Sequence, residues 1–194
     1  FTLDFDILNR PHYFKMAQFN FSFNYDWQSS RYSSHTLTPF KLTYTNLLNT
    51  TQVFDSITSA NPAIALSFRS QYIPQLSYTY TYDRAFDRDN AITWQTTLQE
   101  AGNLFWSVYE LCGKHGEKEL FGTPFSQFVK GTTQLVYNRR LWGDNWLVSR
   151  VALGAAHAYG NAKEVPYAEQ FYVGGANSIR AFTVRSLGPG SYRP

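Results

Sequence analysis

The sequence predicts an all-β fold that is part of a transmembrane antiparallel β-barrel. Three observations carry the prediction. Aromatic residues make up 18% of the 194-residue chain and charged residues only 16%, well under the usual quarter for soluble domains. The mean hydropathy is still −0.37, because Thr, Ser, Asn and Gln are interleaved with the aromatics. That interleaving has period two, the pattern of a wall with lipid on one side and water on the other. Finally, the segments that alternate number seven, whereas bacterial single-chain barrels carry even strand numbers from eight upward. The segments therefore read as part of a larger barrel.

The strand candidates run in order along the chain. "FTLDFDIL" sets Phe1, Leu3, Phe5 and Ile7 against Thr2, Asp4 and Asp6. "AQFNFSFNYDWQ" is the strictest, with Ala17, Phe19, Phe21, Phe23, Tyr25 and Trp27 on one face and Gln18, Asn20, Ser22, Asn24, Asp26 and Gln28 on the other. At about 3.3 Å per residue it can cross a ~25 Å apolar band even when tilted, with Tyr25 and Trp27 suited to an interfacial aromatic girdle. "FKLTYTNL" and "QLSYTYTYD" alternate Phe40, Leu42, Tyr44 and Leu76, Tyr78, Tyr80, Tyr82 with polar residues, and "AITWQTTLQ" does so more weakly. "FVKGTTQLVYNRRLW" places Lys130, Thr132, Gln134, Asn138 and Arg140 on one face. "NWLVSRVALGAAHAY" sets Leu147, Val151, Leu153 and Ala155 opposite Arg150 and Gly154. Turns fall at Asp87–Asn90 and Gly143–Asn145.

Two stretches break the period. In "TSANPAIALSFRSQ", Asn61 before Pro62 forms an N-cap and first-turn proline, predicting a short helix near 62–70 inside a long loop. In "AGNLFWSVYELCGKHG", Leu104, Val108 and Leu111 recur at spacings of four and three before Gly113. This reads as a helix, with a continuation of the preceding strand as the alternative. "GTPFSQF" reads as a turn before a strand.

A soluble β-sandwich or lipocalin-like barrel also alternates, but its inward face is usually richer in Val, Ile and Leu than in Tyr, Phe and Trp. A wet lumen accounts for Asp4, Asp6, Asn20, Asn24, Asp26, Lys41 and Arg150 all facing one way. The net charge of +3 is spread without a basic run, so no nucleic-acid partner is expected. Cys112 is the lone cysteine and is read as a free loop thiol. His12, His35, His115 and His157 lack metal-ligand spacing. No nucleophile elbow or phosphate loop occurs. No catalytic residue, metal or cofactor is expected, and the chain is read as no enzyme. No apolar run reaches the length of a transmembrane helix, and no signal peptide is visible. The pattern is already strand-like at Phe1, which suggests a fragment.

The stretch "EQFYVGGANSIRAFTVRSLGPG", residues 169–190, follows the last strand candidate. Its ordered set Tyr172, Gly174, Gly175, Ser178, Ile179, Arg180, Ala181 and Phe182, continued through Arg185 and Gly188 in "RSLGPGSY", resembles the signature loop of the BamA/TamA outer-membrane assembly superfamily. Ala181 stands where the wider family has Gly. With "LFGTPFSQFVKG" and "PYAEQFYVGGANSIRAF" the chain looks most like the TamL branch known from Bacteroidetes. The resemblance covers essentially the whole chain. It implies about seven strands of sixteen, with 1–158 as central transmembrane strands and loops. The strand 146–158 becomes the eleventh, and 159–194 the sixth extracellular loop, which plugs the lumen. The helix near 62–70 then falls in the fourth extracellular loop and 102–126 forms the fifth. The turns at 84–90 and 142–145 become periplasmic. POTRA repeats, the other strands and the lateral gate lie outside this sequence.

Read physically, Gly174 and Gly175 can take positive φ and permit close backbone approach, so the loop can fold back into the lumen. Arg180 supplies a planar, permanently charged fork. The resemblance implies that it pairs with acidic and aromatic groups on later strands of the inner wall. Two roles stay open for it: handling substrate, or pinning the plug loop in register. Tyr172 and Phe182 are expected to be hydrophobic anchors. Ala181 is strained if the site demands positive φ, so an ordinary backbone conformation is expected there.

The implied function is assembly, insertion or translocation of client proteins in the bacterial outer membrane, without covalent chemistry. The implied partners are outer-membrane lipids, client outer-membrane proteins and an inner-membrane or periplasmic assembly partner. Two alternatives stand beside it. One is a barrel that anchors or secretes a fused patatin-like phospholipase, and the other is a passive porin or receptor.

Overall fold

The computed structural model describes residues 1–60, 68, 70–113, 119–120, 123–176 and 178–182. Seven strands form one antiparallel sheet: β1 (Thr2–Arg10), β2 (Phe14–Ser30), β3 (Ser33–Thr50), β4 (Gln71–Ala85), β5 (Asn90–Ala101), β8 (Phe128–Arg140) and β9 (Trp146–Ala158). They pair in chain order, and a two-stranded hairpin, β6 (Glu119–Leu120) with β7 (Thr123–Pro124), interrupts the numbering. Each of the seven segments with alternating residues lies on one of these strands.

The register makes the two faces continuous. Phe5 lies opposite Phe19, Phe21 opposite Leu42, Tyr78 opposite Leu98, and Leu135 opposite Val151. One residue along, Asp4 meets Asn20, Ser22 meets Lys41, Thr79 meets Thr97, and Gln99 meets Lys130. A one-residue slip would exchange the two sets, so the alternation itself fixes the register. The polar face is hydrogen-bonded laterally: the Thr79 and Thr97 hydroxyls are 3.0 Å apart, and Arg150 Nη2 donates to Gln134 Oε1 at 2.7 Å. The apolar face carries ring pairs, among them Tyr44 stacked on Tyr72 at 4.2 Å and Trp27 on His35 at 5.0 Å.

The two ends of the sheet differ. Residues 31–32, 86–89 and 141–145 are tight turns at one end, and two of the three strand-to-strand connections at the other end, 51–70 and 102–127, are long. In the turn after β4, Asp87 accepts from the Asp89 backbone N–H and the Asn90 side chain. These bonds hold the turn closed and, led by the one from Asn90, lower the Asp87 pKa. Strands β2 and β3 have 17 and 18 residues. At about 3.3 Å per residue they overshoot a ~25 Å apolar band. Beyond the end of β3, helix α1 (Gln52–Ala60) seats Phe54 against Phe14 at 5.1 Å.

The helix expected near 62–70 falls largely outside the described residues, since 61–67 and 69 are not among them. Helix α1 ends just before that stretch. The helix read from Leu104, Val108 and Leu111 is present as α2 (Asn103–Leu111), and Gly113 follows it at φ +72. Its start is set by Gly102 at φ +79, whose N–H donates to Pro74 O at 2.9 Å.

Candidate functional site

The site is built where the chain leaves β9 and turns back onto the polar face. Tyr159 N donates to Gln127 O, and Asn161 N to Gln127 Oε1 at 2.9 Å. Gln127 is almost fully buried. Between these two bonds sits Gly160 at φ +62, where an added Cβ would lie 2.1 Å from Gln127 Oε1. The loop then runs over a small core of Ile73, Ala101 and Phe128, to which Ala158 and Val165 contribute. All three core residues belong to the polar-face register, so the loop covers that face and not the apolar one.

A single turn of 3-10 helix, Tyr167–Glu169, delivers the central contact. Glu169 Oε1 accepts from Gln75 Nε2 on β4 at 2.7 Å, and Oε2 from Lys130 Nζ on β8 at 3.0 Å. The Glu169 and Lys130 side chains are each 15% exposed. The bonds are charge-assisted and span 94 and 39 residues of sequence, so one carboxylate ties the loop to two strands of the wall. Phe171 then lies over Gly154 on β9, where an added Cβ would come within 2.6 Å of the ring, and Lys130 Nζ sits 5.3 Å from the ring centre.

Burial pushes the Glu169 carboxyl pKa up. The bonds from Gln75 and Lys130, with the charges of Lys130 and Lys41, outweigh burial and hold it below its ordinary value of 4.5. A depressed carboxyl contributes stability that is complete above the unfolded pKa and lost as pH falls through the folded one. The dock is therefore expected to hold at neutral pH and to release on acidification through and below the ordinary carboxyl range. A nitroxide at Tyr172→Cys checks this: its spectrum should sharpen in that acid range, and in Glu169→Gln the acid step should vanish.

The motif residues downstream form a compact turn. Gly174 and Gly175 take φ +104 and +90. Gly175 N donates to Phe182 O at 2.8 Å, Ser178 N to Gly175 O at 3.1 Å, and Phe182 N to Ile179 O at 3.1 Å. Seven of the predicted residues, Gly174, Gly175, Ser178, Ile179, Arg180, Ala181 and Phe182, thus lie in one turn. Among the described non-glycine residues only His12 has positive φ, so Ala181 lies in an ordinary conformation. Arg180 is exposed and donates from Nε to Ala176 O at 3.2 Å. No carboxylate among the described residues pairs with it. Tyr172 and Phe182 are both largely exposed. Arg185 and Gly188 lie outside the described residues.

A polar-walled antiparallel sheet, apolar on its other face and covered within by a returning loop, defines a transmembrane β-barrel wall with a lumen-inserted loop. The comparisons agree: the Omp85 superfamily domain matches residues 3–193, and the chain belongs to the Omp85 superfamily. No curated protein and no solved structure matched it. Membership assigns the chain in general terms to the bacterial outer membrane, in a family of protein insertion and translocation barrels. The polar face is then the lumen wall and the apolar face meets lipid.

Proposed function

We propose that this protein is an outer-membrane assembly barrel similar to the TamL branch, which helps client proteins fold into or cross the membrane without covalent chemistry. The observation that carries the reading is the Glu169 dock, which holds the loop against the lumen wall. A passive porin needs that space open. In this reading residues 1–158 are the central strands and 159–194 the sixth extracellular loop. Strands β1 and β9 are the two edges of the sheet, and lipid does not tolerate unpaired edges, so further strands close the barrel.

The mechanism we favour is strand addition: a seam elsewhere in the barrel opens, and its exposed edge templates an incoming client strand. The docked loop braces the wall during opening. Arg180, with Nη1 and Nη2 uncommitted among the described residues, is suited to an acidic group on a later strand. The partners in this account are outer-membrane lipids, client barrels and a periplasmic or inner-membrane assembly protein. Depletion of the protein followed by quantitative outer-membrane proteomics tests the reading. A fall in a subset of β-barrel proteins, with their accumulation in the periplasm, is expected. Unchanged barrel content alongside altered phospholipid turnover would overturn it in favour of a phospholipase anchor.

A further inference from the structure

Helix α2 does not project away from the sheet. Gly102, at φ +79 and ψ −14, reverses the chain as it leaves β5. The helix then lies against the apolar face: the Phe105 ring is 6.4 Å from Phe40 and 6.2 Å from Phe125, and Tyr109 is also 6.2 Å from Phe125. Phe40 shares its face with Leu42 and Tyr44 on β3, and its ring is 5.9 Å from Phe21. That is the lipid-facing side of the wall. Phe105 and Tyr109, four residues apart, are the docking edge of the helix.

The next arc of the helix is Leu104, Val108 and Leu111, at the spacing of a single ridge. These side chains are 58%, 52% and 88% exposed. Asn103, Ser107 and Glu110 occupy the adjoining polar arc, about 100° further round the helix and away from the docking edge. The helix has one charged residue and none that is basic. An apolar ridge of this kind is unfavourable in water. Here the helix that carries it is seated on the lipid-facing wall through the Phe105–Phe40 contact, and that placement names the occupant.

We propose that α2 is an interfacial membrane helix, which docks on the outside of the barrel through Phe105 and Tyr109 and sinks its Leu104–Val108–Leu111 ridge into the acyl region of the outer leaflet. The polar arc faces headgroups and water, the arrangement of a helix lying in the interface plane. The fifth loop thus widens the lipid-contacting belt at one rim of the barrel.

The test places a nitroxide at Val108→Cys in the full-length protein, with Cys112 and any other cysteine replaced, in phospholipid bilayers. Val151→Cys on β9 is the lipid-exposed reference and Ser107→Cys the polar-arc reference. Relaxation by oxygen at the Val151 level, with protection from a water-soluble nickel chelate, is expected at position 108 and not at 107. Full access of the chelate at 108 would overturn the proposal, as would exclusion of both agents, which would mean a protein partner.

Discussion

Gly102→Ala is expected to lower the stability of the barrel by about 2–4 kcal/mol, the sum of a left-handed backbone forced on a residue with a Cβ and a local overpacking. The added Cβ would lie 2.6 Å from the Ser126 carbonyl oxygen, 2.7 Å from Gln127 Cγ and 3.0 Å from Phe125 Cδ2. The first of these is backbone and cannot swing aside. Phe125 and Gln127 are among the most buried side chains, so neither can yield into empty space. Displacing them would also disturb the seat of α2 and, through Gln127, the start of the returning loop. Urea unfolding of the full-length protein in detergent measures the effect. Gly131→Ala is the matched control. Its Cβ would be 3.5 Å from Leu98 Cδ2 and its φ is ordinary, so its midpoint should shift little.

Glu169→Ala is expected to release the loop from the wall at a cost of about 2–4 kcal/mol to the docked state, while the strands stay paired. The change leaves the largely buried Lys130 ammonium without its carboxylate and Gln75 Nε2 without its acceptor, and unpartnered buried polar groups dominate such losses. Removing both charges in Glu169→Ala with Lys130→Met should recover part of the cost, since no ion is then stranded. Two readouts separate loop release from unfolding: cleavage by added protease within residues 159–170 should rise, and single-channel conductance should increase. Unchanged conductance in Glu169→Ala would mean that the loop is held by other contacts.

The sheet was legible because period-two alternation is a local signal that the register then copies from strand to strand. Phe19, Phe21 and Phe23 mark their face within a few residues, and their partners on β1 and β3 obey the same rule. Helix α2 was legible from the four-and-three spacing of Leu104, Val108 and Leu111. Helix α1 was not, although its start carries a cap: the Phe54 N–H donates to Thr51 Oγ1 at 3.4 Å. Asn61-Pro62 gave the stronger local signal and drew the expected helix downstream. The motif pattern in the loop points to Arg180, whereas the dock is made by Glu169. No local pattern distinguishes Glu169, because its partners are Gln75 and Lys130 on distant strands. Only the adjacency of polar-face positions could have suggested them. Gly160 had no motif either, since its need for glycine comes from the Gln127 side chain across the rim.

The central claim is that the chain forms part of a plugged assembly barrel, and the most direct measurement is client insertion in a purified system. Full-length protein reconstituted into liposomes is mixed with a small unfolded outer-membrane β-barrel, and folding is followed by the gel shift of the compact barrel. The account predicts that folding is faster than in liposomes carrying an equal amount of an ordinary porin, and that the liposomes stay poorly permeable to small solutes. Folding at the porin rate, together with free solute passage, would contradict it.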